Sequence, residues 1–267
     1  MGLEEILDID ELPAGKSPRL INVKVKSNKD FVTFVPLGDI HYGSKDCDKK
    51  LLKETLEWLE ERDDVYVLGM GDYIENATRD SVSDVFSQTA SPQAQVYDIV
   101  NLLTPIAKQG KLIGLLRGNH EFRTYKQTGF EPTTIMAKLL NVPYLGDSQL
   151  IKMRVNNNNY HFYATHGSSG ATTPGGKINA LFRMAKVADA DIFLMGHMHE
   201  LISWTRPQLY IDNRNKQVIE GGKYFVCTGH FLKYIDSYAQ RKQYEIGKKG
   251  VARIKLGTKK KEIYVSA

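Results

Sequence analysis

Two cysteines in 267 residues leave little room for sulfur chemistry. Cys47 and Cys227 stand in unrelated contexts, which argues against a disulfide framework or a cysteine-based metal site and leaves two small hydrophobes. No apolar run approaches membrane-spanning length, and the start, MGLEEILDIDELP, is acidic where a secretory signal needs a basic and then an apolar segment. These absences point to a soluble cytoplasmic protein. There is no internal repeat, and 42% hydrophobic with 25% charged residues is ordinary globular usage, which excludes disordered and fibrous classes. The length suits one large α/β domain or a domain with an appendage.

The net charge of +5 is unevenly spread. Residues 241–262 hold nine Lys or Arg against Glu245 and Glu262, so the rest of the chain is slightly acidic. Such a C-terminal strip can meet a polyanion such as DNA or RNA, or can be ordinary solvated surface.

A short apolar run ending in glycine, then a polar cluster, then a helix-like segment recurs along the chain. FVTFVPLGDIH (31–41) is the first run. CDKKLLKETLEWLEER (47–62) then places Leu51, Leu52, Leu56 and Leu59 at helical spacing, and VYVLGMGD (65–72) reads as a buried strand. A polar stretch over 76–93 precedes a helix near 94–109 and the strand KLIGLLRGNH (111–120). Its position after a cluster-bearing strand suits a substrate-selecting loop.

A helix is expected over Pro132–Leu140, stopped by Asn141 and Pro143. Residues 150–167 read as a β-hairpin, 177–188 as helix, DIFLMGHMH (191–199) as a buried strand, and SWTRPQLYI, KYFVCTG and ARIKLG as further strands. The expected architecture is α/β, with two packed sheets and helices outside. Residues 1–30 form an N-terminal extension packing on the core. Residues 31–267 form one domain, in which 200–267 are mainly strands completing the second sheet, together with the basic strip.

Five polar clusters follow five apolar runs: Asp39 with His41, Asp72, Asn119 with His120, His166, and His197 with His199. Each adjoins a glycine, and together they take five of the seven histidines. Ligands of open α/β sheets collect beyond the carboxyl ends of strands, so clusters far apart in sequence can converge there. Carboxylate, amide and imidazole donors suit Mn, Fe, Zn, Ni or Co better than soft copper(I). Side chains two apart on a strand share a face, so Asp39 and His41, or His197 and His199, can address one centre if the backbone stays extended.

GDIH (38–41), GD (71–72), GNHE (118–121), HG (166–167) and GHMH (196–199) resemble the five signature blocks of the calcineurin-like metallophosphoesterase superfamily. The resemblance spans roughly 60% of the chain and implies a four-layer sandwich of two mixed β-sheets flanked by helices. It implies two divalent metal ions, manganese first, with Fe, Zn, Ni, Co and Mg as alternatives. Carried over position by position, Asp39, His41 and His199 bind one metal and Asn119, His166 and His197 the other. Asp72 bridges both, and His120 faces the substrate without binding metal. Two such cations acidify an intervening water until it becomes a nucleophile near neutral pH.

LLRGNHE (115–121) resembles the corresponding block of Ser/Thr phosphoprotein phosphatases, which implies that Arg117 grips phosphate; it can equally be an ion-pair partner of Glu121 or another carboxylate. GHMH is the ending typical of the nuclease and phosphodiesterase branches and is weighted more, because it supplies metal ligands. GDYIEN (71–76) lacks the histidine that Mre11-type nucleases usually place there. The expected activity is therefore that of a phosphodiesterase or nuclease on nucleic acid or nucleotides. A phosphomonoesterase and a non-catalytic scaffold of the same fold remain alternatives. Tyr224, Phe225, Phe231 and Tyr234 either hold a nucleic-acid strand or belong to a sheet core. GATTPGGKI (170–178) approaches a phosphate-binding P-loop but has Ala171 for the first glycine and Ile178 for the Ser or Thr. His161 reads as structural, and His230 as a residue that can approach a substrate.

Overall fold

Short runs rich in β-branched and aromatic residues bury themselves as two mixed sheets stacked face to face. The computed structural model describes residues 7–8, 20–79, 81, 85–212 and 215–267. One sheet has the order β12 (Ile263–Ser266), β11 (Arg253–Gly257), β3 (Phe31–Leu37), β4 (Val65–Gly69), β5 (Leu112–Leu115). The other has seven strands, β1 (Leu7–Asp8), β2 (Leu20–Val25), β6 (Ser148–Val155), β7 (Asn158–Thr165), β8 (Ile192–Met195), β10 (Gln217–Thr228) and β9 (Leu201–Asp212). Strands β3, β4 and β5 run parallel, as do β7, β8 and β10. Their carboxyl ends carry all five polar clusters.

Between the sheets, Phe34, Leu68 and Ile113 meet Met153, Phe162, Ile192 and Val226, with Phe34 stacked on Phe162 at 4.3 Å between ring centroids. Each such side chain contributes about 1.5–3 kcal/mol on burial. Helices α1 (Lys49–Glu60), α2 (Pro92–Lys108) and α4 (Pro132–Leu140) cover the outer face of the five-stranded sheet, burying Leu52, Leu56 and Leu59 of α1. On the opposite outer face, α5 (Pro174–Arg183) packs on Phe193 and Phe225. Between α2 and α4 in sequence lies α3 (Asn119–Thr128), and a short α6 (Tyr238–Arg241) precedes β11. The layers are helix, sheet, sheet, helix, as the sequence predicts.

Three features differ from the sequence reading. Residues 20–25 do more than pack on the core, because β2 is a strand of the seven-stranded sheet, parallel to β6; residues 1–6 and 9–19 lie outside the described residues. Only β9 and β10 of the 200–267 region extend that sheet. Strands β11 and β12 complete the other one, since β11 pairs antiparallel with β3 and turns Ile254 and Leu256 into the inter-sheet core. The third is α3, which has no apolar stripe and buries only His120 and Glu121.

The aromatics of the C-terminal region divide as well. Phe225 and Phe231 are wholly buried, so they are core and not a strand-binding surface. The basic strip is dispersed, with Lys249 on Asp48, Lys259 on Asp30 and Lys261 on Asp191. No described helix is long and apolar enough to cross a membrane.

Candidate metal centre

Five loops at the carboxyl ends of β3, β4, β5, β7 and β8 meet at one edge of the sandwich. Backbone hydrogen bonds hold the first two together: Asp39 N–H donates to Gly71 O at 2.9 Å and His41 N–H to Asp72 O at 3.0 Å. Gly71 and Gly118 let the second and third loops touch. A Cβ on Gly71 would come within 2.6 Å of the Gly118 nitrogen, and one on Gly118 would collide with the Asp72 backbone and carboxylate.

The paired ligand candidates do not use strand alternation. Strand β3 ends at Leu37 and β8 at Met195, before either pair. Asp39, His41, Asp72, His197 and His199 instead adopt left-handed backbone, with φ between 47° and 65°. Such conformations cost non-glycine residues about 1–3 kcal/mol each and persist only where the surroundings impose them. Here the tight reversals aim both residues of each pair inward.

Asp72 sits at the middle. Its Oδ1 accepts the His120 N–H at 2.9 Å and so caps α3, while Oδ2 lies 3.3 Å from His166 Nε2, 3.7 Å from His41 Nε2 and 3.8 Å from His120 Nε2. On one side, His41 Nε2 is 3.0 Å from His199 Nε2, which is 3.3 Å from Asp39 Oδ1. On the other, His166 Nε2 is 2.9 Å from Asn119 Oδ1, and the His197 ring lies 5.3 Å from the His166 ring. Of the three groupings that form among the described residues, Asp39–His41–Asp72–His199 and Asp72–His166–His197 share Asp72, and His41–Glu75–His120 lies beside them.

Donor chemistry tests whether cations fit. His166 Nδ1 lies 2.9 Å from the Met70 carbonyl, which can only accept, so Nδ1 carries a proton and the neutral ring presents a lone pair at Nε2. That lone pair faces Asn119 Oδ1 and Asp72 Oδ2, both acceptors. Three electron-rich atoms pointed at each other require a positive charge among them. Although burial lowers the His166 pKa, Asp72 and then Asp39 outweigh it and push it up to about 10, so a proton fills the place in the metal-free protein. Glu75 Oε2 lies 3.2 Å from His41 Nδ1, and this likewise leaves Nε2 to face the centre.

A pH dependence follows. The His166 proton must leave before a cation takes Nε2, so affinity at that side should rise about tenfold per pH unit through neutrality toward pH 10. Calorimetry in buffers of different ionisation enthalpy should find about one proton released per cation bound there; pH-independent affinity would contradict this. Stability of the metal-free protein should carry the opposite sign. The raised pKa contributes stability that is complete below about 6.5 and is lost as pH climbs toward 10.

His120 holds Nδ1 2.6 Å from the Glu75 carbonyl and turns Nε2 inward. Burial chiefly lowers its pKa, to about 4, so the resting ring is neutral. Arg117 goes elsewhere. Its Nη2 and Nε bind Asp147 at 2.6 and 2.9 Å, Nη1 binds Glu131 at 3.1 Å, and the guanidinium lies over Phe122. The ion-pair alternative is therefore the one the structure displays, with Asp147 and Glu131 as partners in place of Glu121. His230 stacks on His199 with centroids 5.5 Å apart, and His161 is half exposed beside Asp191.

Several site residues were not singled out from sequence. Glu121 accepts N–H groups from Gly118, Asp72, Tyr73 and Ile74, which locks the second loop to the third. Asn76 donates to the His120 carbonyl, and Gln88 and Gln95 tie both ends of the 76–91 loop beside it. Lys177, from the P-loop-like stretch, is buried and pairs at 3.2 Å with Glu200, next to His199. Arg123 follows Asn119 by one helical turn and keeps a buried Nη1 without an acceptor among the described residues, in the field of Asp72 and Glu75. The signal available for these was adjacency to the blocks, which does not distinguish support from surface.

Residues 32–234 match the model of a family described as calcineurin-like phosphoesterase. No curated protein sequence matches. Similar solved structures include a wild-type Vps29 complexed with zinc from Entamoeba histolytica, 16% identical, covering 88% of this chain and 97% of that one with a TM-score of 0.40. A metallophosphoesterase from Sphaerobacter thermophilus is 12% identical, with 88% and 86% covered and a TM-score of 0.41. A hypothetical protein from Pyrococcus horikoshii is 11% identical, with 88% and 87% covered and a TM-score of 0.42.

Proposed function

Because this chain belongs to the calcineurin-like phosphoesterase family, we propose that it is a phosphodiesterase or nuclease that hydrolyses phosphodiesters of nucleic acid or nucleotides with two divalent cations, manganese first. The observation that carries this reading is the pair of donor groupings sharing Asp72. Asp39, His41 and His199 would hold one cation, Asn119, His166 and His197 the other, and Asp72 would serve both. When bound, such a pair neutralises charge on phosphoryl oxygens and acidifies a water near neutral pH.

The chain's own residues supply position and protons. Asp72 cannot rotate away, because Oδ1 is fixed by the His120 N–H. The Glu75 carbonyl aims His120 so that Nε2 is the atom offered to the leaving oxygen. Arrival of an anionic phosphoryl group raises the pKa of this imidazole and favours its charged, proton-donating form. Arg123 takes over the charge-stabilising role read for Arg117, since among the described residues its buried Nη1 has no hydrogen-bond partner whereas carboxylates occupy Arg117. Preference for diesters rests on the GHMH ending, which contributes two imidazoles from one turn.

The direct test is hydrolysis by manganese-loaded protein of bis-p-nitrophenyl phosphate against p-nitrophenyl phosphate. The diester should be the better substrate, and chelation should abolish both activities. Preference for the monoester would favour a phosphatase instead. Arg123→Gln should lower kcat/KM about 10²-fold with both metals retained. Arg117→Met should leave kcat/KM within a few-fold and instead cost about 1–3 kcal/mol of stability. A reversed pattern would return the phosphate to Arg117.

A further inference from the structure

The outer face of the seven-stranded sheet carries an open groove of about 1160 Å³. Thr165, Gly167 and Met195 form its upper end. They are chain neighbours of His166 and of Gly196, the residue before His197, so the groove and the second grouping of ligand candidates draw on the same two loops after β7 and β8. From there it passes between the 168–171 loop and α5 toward Lys186.

Three cations line it, Arg183, Lys186 and Arg206, all exposed. Among the described residues none of the three has a carboxylate partner; Arg206 contacts Gln208 at 3.5 Å and lies over the Phe225 ring at 5.9 Å. This contrasts with Lys177, Lys223, Lys249, Lys259 and Lys261, each seated on an Asp or Glu. Like charges gathered along one concave surface repel each other and raise the local potential, so they favour an anion with several charges in a row.

Aromatic faces are interleaved with these cations. Tyr163 and Phe182 line the groove, and Trp204 meets Phe182 edge-on at 6.3 Å. Trp204 is 49% exposed and stands two residues from Arg206, on the same face of β9. Backbone-tracking cations with stacking rings beside them are what an unpaired strand needs, whereas a duplex hides its base faces and a phosphopeptide offers few, irregularly placed charges.

We propose that this groove seats single-stranded nucleic acid, leading a phosphodiester into the metal centre. The inference rests on the phosphodiesterase reading for its orientation, and it moves the polyanion contact from the C-terminal strip to α5 and β9.

Binding of fluorescently labelled oligo-dT and oligo-U is measured by anisotropy in EDTA across a salt series, and manganese-dependent turnover of bis-p-nitrophenyl phosphate is measured separately. The triple variant Arg183→Gln, Lys186→Gln, Arg206→Gln should bind at least about tenfold more weakly at 0.1 M salt, and the slope of log K against log salt should flatten by about two. Its metal content, circular dichroism and turnover of the small ester should match wild type. Trp204→Ala should weaken binding about tenfold with little change in salt slope. Neutralising Lys259, Lys260 and Lys261 should change little. Loss of binding in that control alone, unchanged binding in the triple variant, no oligonucleotide binding by wild type, or tighter binding of duplex or phosphopeptide would each overturn the groove assignment. Absence of small-ester turnover with groove-dependent oligonucleotide binding intact would instead overturn the hydrolase reading.

Discussion

Asp72→Asn should abolish turnover, lowering kcat/KM by at least about 10³-fold, beyond the 10²–10³ expected for loss of one electrostatic contact. The substitution keeps the shape and Oδ1, and with it the cap on the His120 N–H. What it removes is the charge at Oδ2, which lies 3.3 to 3.8 Å from three imidazoles. Although burial alone would raise the Asp72 pKa, the surrounding histidines hold it well below the usual carboxylate range. The side chain is therefore an anion throughout the working pH range, and both groupings lose their shared charge at once. Metal analysis should find weaker binding on both sides. Two tightly held metals with near-normal activity in this variant would mean that the ligand roles are misassigned.

His120→Asn should keep both metals and lose activity according to the leaving group. An alkoxide from a nucleotide sugar departs poorly without a proton, and removing a general acid typically costs about 10²–10⁴-fold. p-Nitrophenolate departs readily, so bis-p-nitrophenyl phosphate should suffer much less. The geometry permits this separation, since His120 Nδ1 is committed to the Glu75 carbonyl and the nearest Asp72 oxygen is 3.8 Å from Nε2. Glu75 and His41 do form a third possible grouping with His120. Loss of a metal in the variant would make His120 a ligand, and equal loss on both esters would argue for electrostatic positioning in place of proton donation.

The outer helices were legible because their apolar residues recur with helical period and their ends are chemically marked. α1 buries Leu52, Leu56 and Leu59 behind an Asp48 cap, and α4 ends at Asn141 in left-handed conformation. The 148–165 hairpin was legible from alternation on both sides of an Asn-rich turn. Helix α3 was not. Its ten residues, NHEFRTYKQT, carry no stripe, and it is held by Asp72 at its first turn and by Glu121 beneath. The bond from Gly118 is a local cap, whereas the hold by Asp72 and the grip of Glu121 on the N–H groups of Asp72, Tyr73 and Ile74 are tertiary contacts that no local window contains. Strand β12 carries too weak a pattern to be legible, being a four-residue edge strand of alternating intermediate and exposed residues.

At the site, the sequence named the residues that converge but misjudged how they do so. Alternation along an extended strand would have served Asp39 with His41, yet the chain leaves the strand first and kinks left-handed. Those backbone angles are imposed by neighbouring loops, through bonds such as His197 N–H to Asp39 Oδ1 at 2.9 Å, and so are invisible in either segment alone. Arg117 shows the same limit. Its sequence context matched a phosphate grip, while Asp147, thirty residues away, claims it in the fold.

The central claim is one carboxylate shared by two cations. It is tested most directly by titrating metal-free protein with manganese and recording the electron paramagnetic resonance spectrum alongside the bound stoichiometry. The account predicts two Mn(II) per chain and an exchange-coupled signal that Asp72→Asn removes. One manganese per chain, or two that remain magnetically independent in the wild-type protein, would contradict it.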